Sequence, residues 1–360
     1  MSNESFFICA QSGVVPLAYG QPGIAKTRTT ESFAKALNKH YECVIGSHHD
    51  PSELTGFPSL NTDADGRRML SFVPTEWRVR LENSPNGGLL HLDEMTDSSP
   101  ATQAACLQLL THGVKNTWIV ATANPTECGT NAFDLSPATV NRLCVLDWET
   151  PVKSWQEGMI AGFDKIHHNF PILPANWTAL IGSTNSLIVS FVTKVMPTVL
   201  QALPKTDDLR GKPWPSIRSW TNAARVLAAA NSVGAREETI NTLISGCIGE
   251  GAAMAFNSWR TKLDLPDPET LLADPKLYDP PARGDLAHAA LSAVVAAVVR
   301  NNSKERWDAA WQVIDIQCDR APDIAATVAS PLIQNKLEKD WAPPKSVQQK
   351  LLPLLKALST

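Results

Sequence analysis

Short apolar runs alternate with helix-like segments over the first 150 residues of this 360-residue chain. The runs are Val14–Tyr19, Gly87–Asp93, Trp118–Ala123 and Leu143–Leu146. Near-continuous apolar runs are typical of parallel strands that are buried on both faces, because flanking helices cover them. The pattern therefore predicts an α/β fold for residues 1–150, with a three-layer αβα arrangement around a parallel sheet.

Beyond residue 150 the apolar positions recur every three or four residues, which is the spacing of helices that bury one face. Such spacing covers residues 180–203, 216–230 and 240–259, with Ser216 as an expected N-cap. Proline-rich connectors follow at 263–268 and 279–281, and helical spacing returns over 285–299, 303–318, 323–329 and 346–358. We expect an all-α lid at 151–275 and a helical C-terminal extension at 276–360.

A glycine-containing loop follows the first predicted strand and precedes a predicted helix at 28–37. The loop consists of Gly20, Gln21, Pro22, Gly23, Ile24, Ala25, Lys26 and Thr27. In a strand-loop-helix unit of this kind, backbone N–H groups and the helix N-terminus attract phosphate oxygens. Lys26 is placed to reach the β- and γ-phosphates, and the Thr27 hydroxyl to bind Mg²⁺. The sequence predicts a nucleoside triphosphate site.

Ala25 stands where a second glycine is usual in such loops. At a negative φ an alanine is tolerated with little strain, whereas a left-handed conformation costs roughly 1 kcal/mol or more. The sequence leaves both conformations open.

Polar residues end two of the predicted strands. Asp93 and Glu94 follow one apolar run, and Asn124 follows the next. Ligands in open α/β sheets bind at the carboxyl ends of the strands. We expect Asp93 to hold Mg²⁺, Glu94 to orient or deprotonate the attacking water, and Asn124 to contact the γ-phosphate or that water. His91, which alternates with leucines, is interpreted as a packed sheet residue.

Arg142 comes directly before the last predicted strand. We expect it to project from the edge of the domain toward the nucleotide of a neighbouring subunit. An arginine in that role requires an oligomer.

These elements, in this order, resemble the AAA+ ATPases, and local detail resembles their MoxR-type, dynein-related branch. That detail is Asp50–Pro58 and Leu70–Trp77, which flank a hairpin inserted in the second helix at about 56–77. The resemblance covers roughly 14–272. It implies ATP and Mg²⁺ as cofactors and a hexameric ring that remodels or activates a partner protein in the cytoplasm.

The resemblance also assigns roles to individual residues. It implies that Asn124 is the first sensor and Arg142 the arginine finger that acts on a neighbour. Arg218 matches the second sensor, which would reach the γ-phosphate of its own subunit, and Arg225 is the second choice for that role. A partner with a von Willebrand A-type domain is implied by analogy alone.

One departure from the family concerns a second hairpin that MoxR-type proteins carry before the sensor strand. Only residues 111–116 are available for it, which suffices for a turn and not for a sizeable hairpin. The insert in the second helix, with Arg67, Arg68 and Met69, is therefore the better candidate for contact with a substrate.

Bulk composition excludes a strongly basic nucleic-acid binder. The net charge is −4, and residues 1–150 contain 10 Lys and Arg against 16 Asp and Glu. Seven scattered cysteines and the absence of a long apolar segment favour an intracellular protein without a membrane span. Two alternatives stay open: a nucleotide-gated scaffold with little turnover, and a nucleic-acid-associated or defence motor that uses Arg67, Arg68, Arg78 and Arg80.

Overall fold

The computed structural model describes residues 4–62, 65–129, 132–150, 152–161, 170–203, 211–334 and 341–357. Within these residues the strands are β1 (Val15–Tyr19), β2 (His40–Ile45), β3 (Phe57–Thr62), β4 (Arg68–Val73), β5 (Gly88–Asp93), β6 (Thr117–Ala123) and β7 (Leu143–Asp147). The helices are α1 (Glu4–Gln11), α2 (Lys26–Ala36), α3 (Pro51–Thr55), α4 (Glu76–Glu82), α5 (Pro100–His112), α6 (Pro137–Val140), α7 (Val152–Ala161), α8 (Ile181–Ser190), α9 (Ile217–Ser232), α10 (Glu237–Ile248), α11 (Glu250–Arg260), α12 (Pro268–Ala273), α13 (Gly284–Arg300), α14 (Lys304–Cys318), α15 (Pro322–Gln334) and α16 (Lys345–Ala357).

Five parallel strands form the main sheet in the order β2-β5-β6-β1-β7. Every residue of β5 is buried, and the apolar side chains of the sheet pack with helices such as α5 into a core that includes Leu17, Leu90 and Leu109. An α/β core around a parallel sheet, with helical regions after it, is therefore confirmed. The carboxyl ends of β1, β5 and β6 meet at one edge, which is where the predicted phosphate loop begins.

The predicted hairpin is present, and the helical segments on either side of it are α3 and α4. Between α3 and α4 the chain forms the antiparallel pair β3 and β4, in which Leu60 lies opposite Leu70 and Pro58 opposite Phe72. The tip at 63–64 lies outside the described residues. Residues 113–116 join α5 to β6 by a short connection, so the second hairpin is absent from this described segment.

The chain divides into two compact units, Met1–Pro174 with Ala202–Gly251, and Ala175–Gln201 with Ala252–Thr360. The first unit therefore holds the sheet together with α9 and α10. The division of the chain at residues 150 and 275 stays a prediction.

Glycines separate two helices that the spacing predicted as one run over 240–259. Gly249 has φ +82 and ends α10, so the single long helix is wrong. Gly246 permits close approach, because a Cβ built there would lie 2.5 Å from the carbonyl oxygen of Val145 in β7. Close packing of α10 against the sheet therefore accounts for Gly246.

The second unit is a helical bundle with an aromatic core. Trp307 and Trp311 of α14, four residues apart, are nearly fully buried with ring centroids 5.6 Å apart, so both rings pack in the core. Ser303 caps α14 by accepting a hydrogen bond from the backbone N–H of Arg306. The helix predicted over 323–329 extends to Gln334 and contains Pro331. No helix of the described residues is long and apolar enough to cross a bilayer.

His288 makes this bundle sensitive to acid. Its Nδ1 donates to the hydroxyl of Ser190, and burial, together with the positive charge of Lys194, lowers the pKa of His288 to about 4. The unfolded chain, with a histidine pKa near 6.5, takes up this proton first, so stability falls as the pH drops from about 6.5 toward 4. The difference amounts to roughly 3 kcal/mol below pH 4.

We therefore expect the free energy of unfolding of His288→Gln to fall less steeply than that of wild type as the pH drops over this range. The slope should decrease by the amount that corresponds to about one proton fewer taken up on unfolding. Urea unfolding at pH 7.5 and pH 5 measures it. Exposed His112, replaced by glutamine, is the control and should keep the wild-type slope. An unchanged slope for His288→Gln would contradict the assignment.

Candidate nucleotide site

The loop between β1 and α2 has the backbone of a phosphate cradle. Gly23 has φ +80, and a Cβ there would meet only open space, while Ala25 is left-handed with φ 63 and ψ 25. Helix α2 begins at Lys26 without a side-chain cap, whereas the side chain of Ser216 caps the N-terminus of α9. Its first N–H groups are thus directed at the loop, and phosphate oxygens of a nucleotide fit them.

The side chain of Lys26, the first residue of α2, is buried and turns back onto this loop. Its Nζ donates to the carbonyl oxygens of Gly20 at 2.6 Å and Gln21 at 2.8 Å, and to Oδ1 of Asn124 at 2.9 Å. Burial lowers the pKa of Lys26, and the nearby charge of Asp93 opposes the shift. All three ammonium donors thus have protein acceptors, and a phosphate oxygen that binds here replaces one of them.

Asp93, the last residue of β5, is 2.7 Å from the Thr27 hydroxyl through its Oδ2. Its Oδ1 accepts from the hydroxyl of Thr122 and from the backbone N–H of Glu94. Burial raises the pKa of Asp93, but the neighbouring His91 ring and the hydrogen bonds from Thr122 and Thr27 outweigh it, so the pKa lies below its ordinary value. An ionised carboxylate beside a hydroxyl is an oxygen donor set that suits Mg²⁺.

Glu94 also occupies a left-handed conformation, with φ 56 and ψ 45. Its Oε2 accepts a hydrogen bond of 2.8 Å from Ser47, two residues beyond the end of β2. Sequence reasoning did not single out Ser47, although its position after a strand end was a usable signal. The carboxylate is held beside Asp93 and is only half-buried, which allows it to meet a water molecule.

Asn124 is held from two sides. Its Oδ1 accepts from Lys26, and its Nδ2 donates to Oδ2 of Asp97 at 3.2 Å. Asp97 was also missed at the sequence level, and it lies in the turn that follows Glu94. These contacts fix which end of the amide faces the lysine, so an Asn124 N–H is directed away from Lys26.

Arg142 lies at the opposite edge of the sheet. Leu143, which follows it, pairs with Val15 at the start of β1, whereas the phosphate loop follows the end of β1 at Tyr19. At about 3.3 Å per residue, Arg142 is roughly 15–20 Å from its own loop, farther than an arginine side chain reaches. Its Nε donates to Thr111 and its Nη1 to the carbonyl oxygen of Ala138.

Arg218, expected to contact the γ-phosphate of its own subunit, is not brought to the site. The N-cap of α9, Ser216, donates to Oδ1 of Asn141 at 2.9 Å, so the start of α9 lies at the Arg142 edge. Burial lowers the pKa of Arg142, and the positive charge of Arg218 adds to the shift. The two arginines are therefore neighbours.

Arg225, the second choice for that role, has a structural position. Its Nε and Nη2 both donate to the carbonyl oxygen of Ser12, at 3.1 and 2.7 Å, just before β1. It too lies at the amino end of β1 and far from the loop that ends the strand. The structure thus brings together Lys26, Thr27, Asp93, Glu94 and Asn124, and separates Arg142, Arg218 and Arg225 from them.

The left-handed conformation of Ala25 has a measurable cost. We expect Ala25→Gly to raise the free energy of unfolding by about 1 kcal/mol, because glycine adopts this conformation without a Cβ clash. Denaturant titration measures the change. The control, Ala104→Gly on the exposed face of α5, should lower stability by about 1 kcal/mol. A loss of stability in Ala25→Gly would contradict the strain.

A family model matches the part of the chain that holds the phosphate loop and the two acids. Residues 17–117 match the family model of the AAA domain, dynein-related subfamily. The chain is 32% identical over 99 residues to the Lon protease of Amoebophilus asiaticus (strain 5a2), a match that spans 27% of this chain and only 12% of that protein. A solved structure of an inferred ATPase from Cytophaga hutchinsonii aligns over 69% of this chain and 80% of its own, with 17% identity and a TM-score of 0.42.

Proposed function

We propose that this chain, whose residues 17–117 match the AAA domain of the dynein-related subfamily, hydrolyses ATP in an oligomer whose neighbouring subunits complete each other's sites. One observation carries the proposal: the phosphate loop and the acids lie at one edge of the sheet, and Arg142 lies at the other. Each subunit then offers a nucleotide site at one edge and an arginine at the opposite edge. Subunits joined head to tail form a closed ring when the rotation between neighbours closes, and six copies are the number that the family implies.

The residues of one site divide the work. Lys26 and the loop N–H groups bind the phosphates, and Asn124 orients the γ-phosphate or the attacking water. Thr27 and Asp93 would hold Mg²⁺, which neutralises negative charge on the phosphate oxygens when bound. Glu94 accepts the hydrogen bond of the attacking water and takes up its proton.

Arg142 and Arg218 supply positive charge from the neighbouring subunit. Among the described residues neither forms an ion pair with an acid, and their charges repel each other. A triphosphate placed between subunits relieves that repulsion and receives both guanidinium groups. In this proposal Arg218 contacts the nucleotide of the neighbour, instead of its own.

The β3–β4 hairpin is the proposed contact with a partner protein. Leu60, Leu70 and Phe72 on one face are 73%, 61% and 60% exposed, and Met69 is 50% exposed. An exposed apolar ribbon suits chaperone-like remodelling of a protein client. The von Willebrand A-type partner rests on family resemblance, and a pull-down from the native host that recovers no such protein would count against it.

A nucleic-acid motor is less well supported. Two of the four arginines considered for that role are engaged: Arg78 pairs with Glu82, and Arg80 pairs with Glu42 and Glu76. Stimulation of ATP turnover by DNA or RNA that disappears at raised salt would favour the motor.

The decisive experiment follows ATP turnover per subunit against protein concentration, with particle mass measured in parallel and Lys26→Ala as the inactive control. We expect turnover per subunit to rise as the oligomer forms. A rate per subunit that is independent of assembly would overturn the shared site. Tight ATP binding with no turnover at any assembly state would make the chain a nucleotide-dependent scaffold.

A further inference from the structure

A line of hydrogen bonds, partly buried at Tyr41 and buried at its other members, crosses three neighbouring strands and ends on Asp93. The hydroxyl of Tyr41 in β2 lies 2.8 Å from Nδ1 of His91 in β5, and Nε2 of His91 lies 2.9 Å from the hydroxyl of Thr122 in β6. Thr122 in turn contacts Oδ1 of Asp93. His91 is fully buried and Thr122 nearly so. The site described above uses only the last member of this line.

The direction of each bond follows from the carboxylate. Ionised Asp93 only accepts, so the single hydroxyl proton of Thr122 points to Oδ1. Thr122 then accepts from His91, which must carry its proton on Nε2, and the bare Nδ1 accepts from Tyr41. One tautomer satisfies the whole line.

A line of hydrogen bonds explains these side chains better than a metal centre does. Ligand atoms of Cys43, His91 and Asp93 all lie within 4.8 Å of one another. Both ring nitrogens of His91 already have hydrogen-bond partners, however, and Nδ1 faces Cys43 at 3.8 Å while Nε2 faces Asp93 at 3.8 Å. Because the two nitrogens point in different directions, one ion cannot be coordinated by the ring and by both other residues along these approaches.

Buried polar side chains in the middle of a sheet are costly unless every member is satisfied. Here the line holds Oδ1 of Asp93 from one side, so that Oδ2 faces Thr27. We propose that Thr122 and His91 are positioning residues that orient Asp93 for Mg²⁺, an inference that rests on the proposed function. They act through the carboxylate and touch neither the metal nor the nucleotide.

The test compares binding of a fluorescent ATP analogue with Mg²⁺ present and with EDTA. The ratio of the two affinities measures how well the metal ligand is placed, and it does not depend on turnover. Thr122→Val removes the hydroxyl at nearly constant volume, and we expect it to lower the Mg²⁺-dependent gain by about 10- to 100-fold, as for other partners that orient metal ligands. Affinity in EDTA should stay within about twofold, a range that a bulk structural defect would exceed.

Three further variants make the outcome specific. Thr122→Ser retains the hydroxyl and should restore the wild-type ratio. Thr184→Val removes a buried hydroxyl in the second unit and should leave the ratio unchanged. If Thr122→Val does not fold, His91→Leu interrupts the same line one bond earlier and should also lower the ratio.

A wild-type ratio in folded Thr122→Val would overturn the positioning role and leave the proposed function intact. Wild-type protein that binds no ATP analogue under either condition would overturn both.

Discussion

Glu94→Gln is expected to lower ATP turnover by about 10²- to 10⁴-fold, the usual contribution of a general base. Glutamine keeps the shape of the side chain and still accepts a hydrogen bond from Ser47, but it cannot take up a proton from water. ATP binding should therefore remain within about twofold of wild type, since Lys26, Thr27 and Asp93 are unchanged. Steady-state turnover and equilibrium nucleotide binding, measured on one preparation, check both parts.

Glu127→Gln is the matched control, because Glu127 is an exposed acid in the segment that follows Asn124. Its turnover should stay within about twofold of wild type, since Glu127 lacks the strand-end position of a general base. If Glu94→Gln keeps wild-type turnover, the base is another residue. Asp97, which holds the amide of Asn124, would be examined next.

Arg142→Ala is expected to lower turnover by about 10³- to 10⁵-fold, the range for arginines that complete a site in another subunit. Sedimentation must show that the oligomer persists, because loss of assembly would also lower turnover. Exposed Arg236, replaced by alanine, is the control and should keep wild-type turnover.

Mixing two inactive variants separates a shared site from a local effect. A subunit with Arg142→Ala retains Glu94, and a subunit with Glu94→Gln retains Arg142. In a mixed oligomer some sites combine the intact Glu94 of one subunit with the intact Arg142 of its neighbour, so activity should return. If mixing restores nothing although mixed oligomers form, Arg142 acts within its own subunit or has only a structural role.

The residues that the structure brings together are those whose position depends on a single strand end. Lys26 follows β1, Asp93 ends β5 and Asn124 follows β6, and parallel strands bring these ends to one edge. The sequence predicts both the strands and their direction, so it also predicts this proximity. Ser47 and Asp97 obey the same rule and were missed because serine and aspartate are also ordinary turn residues.

The placement of Arg218 could not be predicted in this way. It depends on where α9 docks, and that is decided by contacts between residues distant in sequence, such as Ser216 with Asn141. Local periodicity carries no information about such docking. The conformation of Ala25 was open for a related reason, since the surrounding loop and the helix that follows it determine its φ.

The hairpin of β3 and β4 leaves the domain through a narrow neck. Phe57 pairs with Val73, and a Cβ on Gly56 would lie only 2.5 Å from the carbonyl oxygen of Val73, so the chain departs and returns at adjacent points. Gly56 has φ +92, which makes this sharp exit possible without a side-chain clash. Because the two ends of the hairpin are adjacent, the hairpin can be lengthened, shortened or replaced without moving α3 or α4. Exchange of the hairpin between chains would then transfer the choice of client, provided that both chains have the same two flanking helices.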